Sequence, residues 1–196
     1  MAFHIEAEYL NGIVTLLPDI YRDDRGFFTE AFRADSFAAL GLPSGFRQIN
    51  HSGSRRGTVR GLHFQWDEPM GKLLRVTAGE ALIVELDIRP GSPTLGGHCT
   101  IRASADDRRI VWVPPGFANG FAALSEWVEV QYLCTVIYNP AGESAIRWDD
   151  PALGIGWEVE DPLLSGKDRA AQSLAAWLAR PEATAFAFPG TADANP

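Results

Sequence analysis

Residues 127–138 read Trp127-Val128-Glu129-Val130-Gln131-Tyr132-Leu133-Cys134-Thr135-Val136-Ile137-Tyr138. Every even position is apolar or aromatic, whereas Glu129, Gln131 and Thr135 fall between them. Successive side chains of a strand point to opposite faces, so this pattern predicts one strand with a buried face and a polar one. The buried face carries Tyr132 and Tyr138 into the interior. Each tyrosine taken alone is better explained as a core residue whose hydroxyl finds a backbone partner.

The same grammar extends upstream to Phe46. Leu82, Val84, Leu86 and Ile88 alternate with Ala81, Ile83, Glu85 and Asp87, which gives one apolar and one mixed face. Ile110-Val111-Trp112-Val113 stops at Pro114-Pro115-Gly116, and Phe117 to Leu124 resumes as an apolar piece. Short strands separated by Gly, Pro, Asn and Asp, with no helical period long enough to cross over a parallel sheet, make the chain all-β with barrel spacing. Toward the N-terminus, Ile13 to Leu17 is a strand ended by Pro18. Asp23-Asp24-Arg25-Gly26 is a turn, Phe27 to Phe32 a further strand, and Asp35 to Leu40 a short helix stopped by Gly41. Toward the C-terminus, Arg169 to Ala179 reads as one helix ended by Pro181, and the small residues, Pro and Gly from Glu182 onward predict a loose tail. The expected organisation is one domain, residues 1–180, followed by a tail, residues 181–196.

Composition narrows the function. Seventeen Lys and Arg against 25 Asp and Glu leave a net charge of −8 over 196 residues, which disfavours nucleic acid as a partner. No apolar run approaches the roughly 20 residues that cross a bilayer, and the acidic start lacks the basic and apolar regions of a signal peptide. The two cysteines, Cys99 and Cys134, suit a reduced cytoplasmic interior better than a disulfide framework. From Arg47 to Arg75, however, six basic residues face only Asp67 and Glu68. That local positive field suits a compact anion such as a phosphorylated small molecule. Arg55 and Arg56 read as solvated loop charges, and Arg60 is divided between surface and site.

The chemistry-bearing residues are few. Among His4, His51, His63 and His98 there is no His-x-His pair, and no Cys-x-x-Cys occurs, so no metal site is expected. Nucleophile-elbow, phosphate-loop and dinucleotide fingerprints are absent as well, and no cofactor is implied. An acid/base set remains. His63 shares a strand face with Gln65, and a neutral imidazole is a suitable base near pH 7. Lys72 opens the next strand and can steady an anionic oxygen, while Tyr132 can give or hold a proton. Gly61, between Arg60 and His63, is read as a β-bulge that lets both neighbours reach one pocket.

Asp24-Arg25-Gly26-Phe27-Phe28-Thr29-Glu30, Gln48-Ile49-Asn50-His51-Ser52, Arg60-Gly61-Leu62-His63-Phe64-Gln65, Gly71-Lys72-Leu73, Ser92-Pro93-Thr94, Pro115-Gly116-Phe117-Ala118, Glu129 to Tyr132 and Ser165-Gly166-Lys167-Asp168 together resemble the signature blocks of the dTDP-4-dehydrorhamnose 3,5-epimerase family. The resemblance runs from about Ile13 to Leu174. It implies a cupin-like jelly roll, a homodimer without metal, and inversion at C3 and C5 of a nucleotide-linked 4-keto-6-deoxy sugar. By position, His63 resembles the base, Asp168 the carboxylate paired with it, Lys72 the group that stabilises the enolate oxygen, and Tyr132 the acid on the opposite face. Arg25, Phe28, Glu30, Gln48, Asn50, Arg60, Tyr138, Glu143 and Lys167 fall where the family binds the nucleotide sugar. Asn119 stands where the family commonly has histidine, and an asparagine cannot titrate. Open alternatives are a single-centre epimerase, another nucleotide sugar, a ketoisomerase on the same scaffold, and a sugar-nucleotide binding module.

Overall fold

Strands with two differently patterned faces need two different partners, and the topology supplies both. The computed structural model describes residues 3–188. In chain order it contains β1 (Phe3–Tyr9), β2 (Ile13–Pro18), β3 (Ile20–Asp23), β4 (Gly26–Thr29), α1 (Ala34–Ala39), β5 (Gln48–Arg55), β6 (Val59–Gln65), β7 (Lys72–Ala78) and β8 (Glu80–Asp87). There follow β9 (His98–Ser104), β10 (Ile110–Val113), β11 (Phe117–Ala123), β12 (Trp127–Cys134), β13 (Glu143–Ala145), α2 (Gly166–Arg169), α3 (Leu174–Leu178) and a 3-10 turn, Pro181–Phe186. One sheet has the order β1-β2-β10-β7-β12-β5 and the other β13-β6-β11-β8-β9, and β3 and β4 form a separate hairpin. The paired strands of both sheets run antiparallel. The architecture is the all-β, cupin-like jelly roll expected from the strand pattern and the resemblance.

Between the sheets lies an apolar cluster that includes Leu74, Val76, Ile83, Val111, Phe121, Val128 and Val130. The mixed face of β8 is therefore the one that looks into the barrel. Its apolar face, Leu82, Val84 and Leu86, packs on the outside against Phe64, Trp157, Leu174, Trp177 and Phe186. A third cluster, with Phe37 of α1, Leu16, Leu73 and Trp112, closes the outer side of the six-stranded sheet.

Four elements differ from the sequence reading. The strand expected from Phe27 to Phe32 ends at Thr29. The strand beginning at Trp127 ends at Cys134, so Tyr138 is not an interior strand residue; it lies beyond the sheet and is 42% exposed. The single C-terminal helix is two short ones, each capped by a serine: the Ser165 side chain accepts the Asp168 N–H and that of Ser173 the Ala176 N–H. Residues 181–186, expected to be loose, are docked. Ala183 and Phe186 are buried, and Phe64, Trp177 and Phe186 pack ring against ring, with Phe64 and Trp177 centroids 4.6 Å apart. Residues 189–196 of the expected tail lie outside the described residues.

Candidate active site

The site arises where the inward-facing pattern of each strand changes from apolar to polar. Along β12 the interior positions run Val128, Val130, Tyr132; along β7, Val76, Leu74, Lys72; along β8, Ala81, Ile83, Glu85; along β11, Phe121 and then Asn119. Alternation continues unchanged, so the same backbone geometry that builds the core also aims these polar groups into one end of the barrel. His63, Lys72, Tyr132, Asn50, Tyr138 and Glu143 line a cavity there, joined by Phe64, Gln65 and Met70.

His63 reaches the cavity through the expected bulge. Asn119 pairs with His63 and Phe121 with Arg60, so Gly61 and Leu62 together oppose Gly120 alone. Gly61 has φ +117°, and a Cβ there would lie 2.7 Å from the Asn119 carbonyl oxygen and from Gly120 Cα. Only glycine fits. The Gly61 N–H, freed from regular pairing, donates to Asp168 Oδ1 at 3.3 Å.

Asp168 is 2% exposed and 2.6 Å from His63 Nε2. Its other oxygen accepts from Ser165 Oγ at 2.7 Å. Burial pushes this carboxyl up, but hydrogen bonds from His63, Ser165 and the Gly61 N–H overcome it and leave the group below the ordinary aspartate range. An ionised carboxylate on Nε2 holds the Nε2–H tautomer and leaves Nδ1 as the basic nitrogen.

On the other sheet, Lys72 Nζ donates to the His63 carbonyl at 3.3 Å. Burial draws its amine below the usual lysine range, opposed by the charge of Glu85. Burial also raises the Tyr132 phenol above its ordinary value, partly offset by Asn50 and the Arg60 guanidinium, so it stays protonated through neutral pH. Gln48 bridges the rim: its Nε2 donates to Asn50 Oδ1 at 2.9 Å and its Oε1 accepts the Tyr138 N–H at 2.8 Å. Glu143 Oε2 accepts from Tyr138 Oη and from Lys167 Nζ, both at 2.7 Å.

Residues 7–176 match the family model described as dTDP-4-dehydrorhamnose 3,5-epimerase. The chain is 46% identical over 165 residues to the dTDP-4-dehydrorhamnose 3,5-epimerase of Pseudomonas aeruginosa, covering 83% of this chain and 91% of that one. It is 44% identical over 181 residues to that of Neisseria gonorrhoeae, covering 92% of this chain but only 54% of the longer relative. Among solved structures, a dTDP-6-deoxy-D-glucose-3,5-epimerase from Legionella pneumophila in complex with dTDP-4-keto-L-rhamnose superposes with a TM-score of 0.85 at 40% identity, covering 88% and 93% of the two chains. The chain belongs to the dTDP-4-dehydrorhamnose 3,5-epimerase family.

Not every residue expected at the site of this epimerase family converges on it. Arg25 and Phe28 stand on the exposed β3–β4 hairpin, where Arg25 pairs with Asp23, and neither lines the His63 cavity. Glu30 lines a separate depression with Arg75 and Arg108 and lies 3.5 Å from Arg33. Arg60 shares the strand of His63 but does not line the cavity, so the bulge brings only one of its two expected neighbours there; the Arg60 guanidinium is tied to Ser54 Oγ and the Gly53 carbonyl, each at 3.0 Å. Asn119 donates to Glu85 Oε1 at 2.6 Å, behind the cavity wall.

Other side chains at the site have no role assigned by the sequence reading. Buried Gln65 ties the 137–139 segment to the cavity, bonding the Ile137 carbonyl and the Asn139 N–H. Ser165 orients Asp168; its Ser-x-x-Asp spacing is a helix-start signature that marks it as a cap. Glu85 had only its place on the mixed face of β8 to point to it.

Proposed function

We propose that the chain inverts C3 and C5 of dTDP-4-dehydro-6-deoxy-D-glucose, giving dTDP-4-dehydro-L-rhamnose. The observation that carries this reading is the disposition of base and acid on opposing sheets: His63, backed by Asp168, comes from β6, whereas Tyr132 and Lys72 come from β12 and β7. Inversion needs a proton removed from one face of a carbon and another delivered to the other. His63 Nδ1 takes the proton from the carbon beside the ketone, and the C–H electron pair moves into the enolate. The Lys72 ammonium faces the oxygen where that negative charge collects. Tyr132 then protonates the opposite face, and proton exchange with solvent resets both groups. A second pass at the other carbon flanking the same ketone uses the same parts.

The rim of Gln48, Asn50, Arg60, Tyr138, Glu143 and Lys167 supplies hydrogen-bond donors and cations for the nucleotide diphosphate. In this reading the enzyme is a homodimer. The hairpin exposes Tyr21 (61%), Phe27 (50%) and Phe28 (66%), apolar surface that a second copy covers, and Arg25 and Phe28 serve a nucleotide only if they reach the partner's cavity. The free thiols of Cys99 and Cys134 fit a reducing, cytoplasmic setting. No described helix is long and apolar enough to cross a membrane.

Turnover of dTDP-4-dehydro-6-deoxy-D-glucose in deuterated water tests the reading. Deuterium at both C3 and C5 of an L-configured product supports it. Label at one carbon reduces the activity to a single-centre epimerase, and label at neither removes this substrate.

A further inference from the structure

Apart from Phe64 and Met70, every residue lining the His63 cavity has a polar side-chain group. The Phe64 ring belongs to the outer cluster, where it packs on Trp177 and Phe186 with centroids 4.6 and 5.9 Å away. Met70 is therefore the aliphatic side chain of the cavity wall. It is 8% exposed, yet it belongs to none of the three apolar clusters of the described residues, so core packing does not account for it. Its neighbours fix where it points. Gly71 donates its N–H to Thr135 Oγ1 at 2.9 Å and accepts the Thr135 N–H at 3.0 Å, so the pairing of β7 with β12 runs on past Lys72. A Cβ on Gly71 would run into the Trp112 ring of the outer cluster, which sets Gly71 toward the outside of the sheet and Met70, like Lys72, toward the cavity. From the other side, the Met70 N–H donates to the Gln65 carbonyl at 3.3 Å. The Gln65 amide gives both its hydrogens to the Glu68 and Ile137 carbonyls and has none left for a ligand.

We propose that Met70 is a specificity-determining residue: its side chain receives the C6 methyl of the sugar and so selects 6-deoxy substrates over their 6-hydroxy counterparts. The inference rests on the epimerase reading, in which Lys72 faces the oxygen at C4. The two carbons flanking C4 differ in what they carry, a hydroxyl on C3 and a methyl on C5. Met70 stands beside Lys72 on the same face, where it meets one of these flanks, and a side chain without a donor matches the methyl. A hydroxyl at C6 would exchange its water for a thioether, a weak acceptor at best. Inversion at C5 also carries the methyl from one face of the ring to the other. An unbranched side chain with three rotatable bonds can follow that movement, whereas a β-branched one is stiff at χ1.

Two measurements test it on the wild-type protein. Neither needs turnover, so both can fail while deuterium exchange still supports the epimerase reading. Methionine occurs only at positions 1 and 70, so carbon-13 methyl labelling gives Met70 a resonance of its own, assigned by its loss in Met70→Leu. In the complex with dTDP-6-deoxy-D-glucose, a nuclear Overhauser effect between this methyl and the sugar C6 methyl is expected. Contacts confined to other sugar protons, or none, overturn the proposal. In titration calorimetry, dTDP-6-deoxy-D-glucose is expected to bind about 10- to 100-fold more tightly than dTDP-D-glucose. In Met70→Gln, whose amide can bond a C6 hydroxyl, the ratio is expected to fall to about three-fold or less. Equal affinities in the wild type, or an unchanged ratio in Met70→Gln, contradict the proposal.

Discussion

Replacing Asp168 by asparagine removes one charge and little else. The carboxylate accepts His63 Nε2 at 2.6 Å, Ser165 Oγ at 2.7 Å and the Gly61 N–H at 3.3 Å. In Asp168→Asn an amide oxygen of the same size still meets the imidazole, but nothing balances the imidazolium that forms as His63 takes its proton. Breaking a buried charge pair costs roughly 3–5 kcal/mol, and a charge-assisted hydrogen bond contributes roughly 1.5–3 kcal/mol. The His63 side chain is 31% exposed, so water screens part of the loss and the lower range applies. About 2–3 kcal/mol, arising only after proton transfer, lowers kcat by roughly 30- to 160-fold. KM and the dTDP dissociation constant should stay within about three-fold, read by product NMR and titration calorimetry. A kcat within three-fold of wild type, or a loss confined to KM, refutes the dyad. The pH dependence of stability gives a second reading. Because the folded-state Asp168 carboxyl lies below its unfolded value of about 3.9, its contribution is present above that pH and is lost as the pH falls through the lower folded value. The stability difference between wild type and Asp168→Asn should therefore shrink below about pH 4.

Two further substitutions probe the frame. In Gly61→Ala the new Cβ meets two backbone atoms of β11 at 2.7 Å with φ at +117°, so strain of roughly 1–3 kcal/mol and overpacking of roughly 1–3 kcal/mol add. At roughly 2–4 °C per kcal/mol for a chain of this size, calorimetry should show Tm lowered by about 4–24 °C; an unchanged Tm removes the bulge from the account. Trp177→Ala empties a fully buried position between Phe64 and Phe186 and should cost roughly 3–5 kcal/mol in urea unfolding. Truncation after Arg180 removes Ala183 and Phe186 from the same cluster, and a truncated chain as stable as the full one contradicts their docking.

How much could be read from the residues differs by element. The alternation from Trp127 to Cys134 gave the buried face correctly, because a period of two is a property of the backbone. It carried too far, to Tyr138, because periodicity has no marker for the point where a strand leaves its sheet. Here the strand ends at Cys134, and Gln65, more than sixty residues upstream, fixes the path of residues 137–139. Phe186 was lost in an Ala- and Pro-rich stretch for a related reason: its burial depends on Phe64 and Trp177, not on its neighbours in sequence. His63, Lys72 and Tyr132 were legible as polar residues on strand faces that otherwise bury apolar groups. Asp168 lies 105 positions from the histidine it serves, and the resemblance alone joined the two. Arg25, Phe28 and Glu30 are misplaced for a site built from one chain, which is the geometric reason for expecting a second copy.

The central claim is that His63 removes the proton beside the ketone, and the most direct test is His63→Ala incubated with dTDP-4-dehydro-6-deoxy-D-glucose in deuterated water, with dTDP binding measured on the same sample. Losing a general base costs roughly 10²- to 10⁴-fold. Deuterium entry at C3 and C5 is predicted to fall by at least 100-fold while dTDP affinity stays within two-fold. Label entering either carbon at the wild-type rate, in a variant that still binds dTDP, contradicts the account.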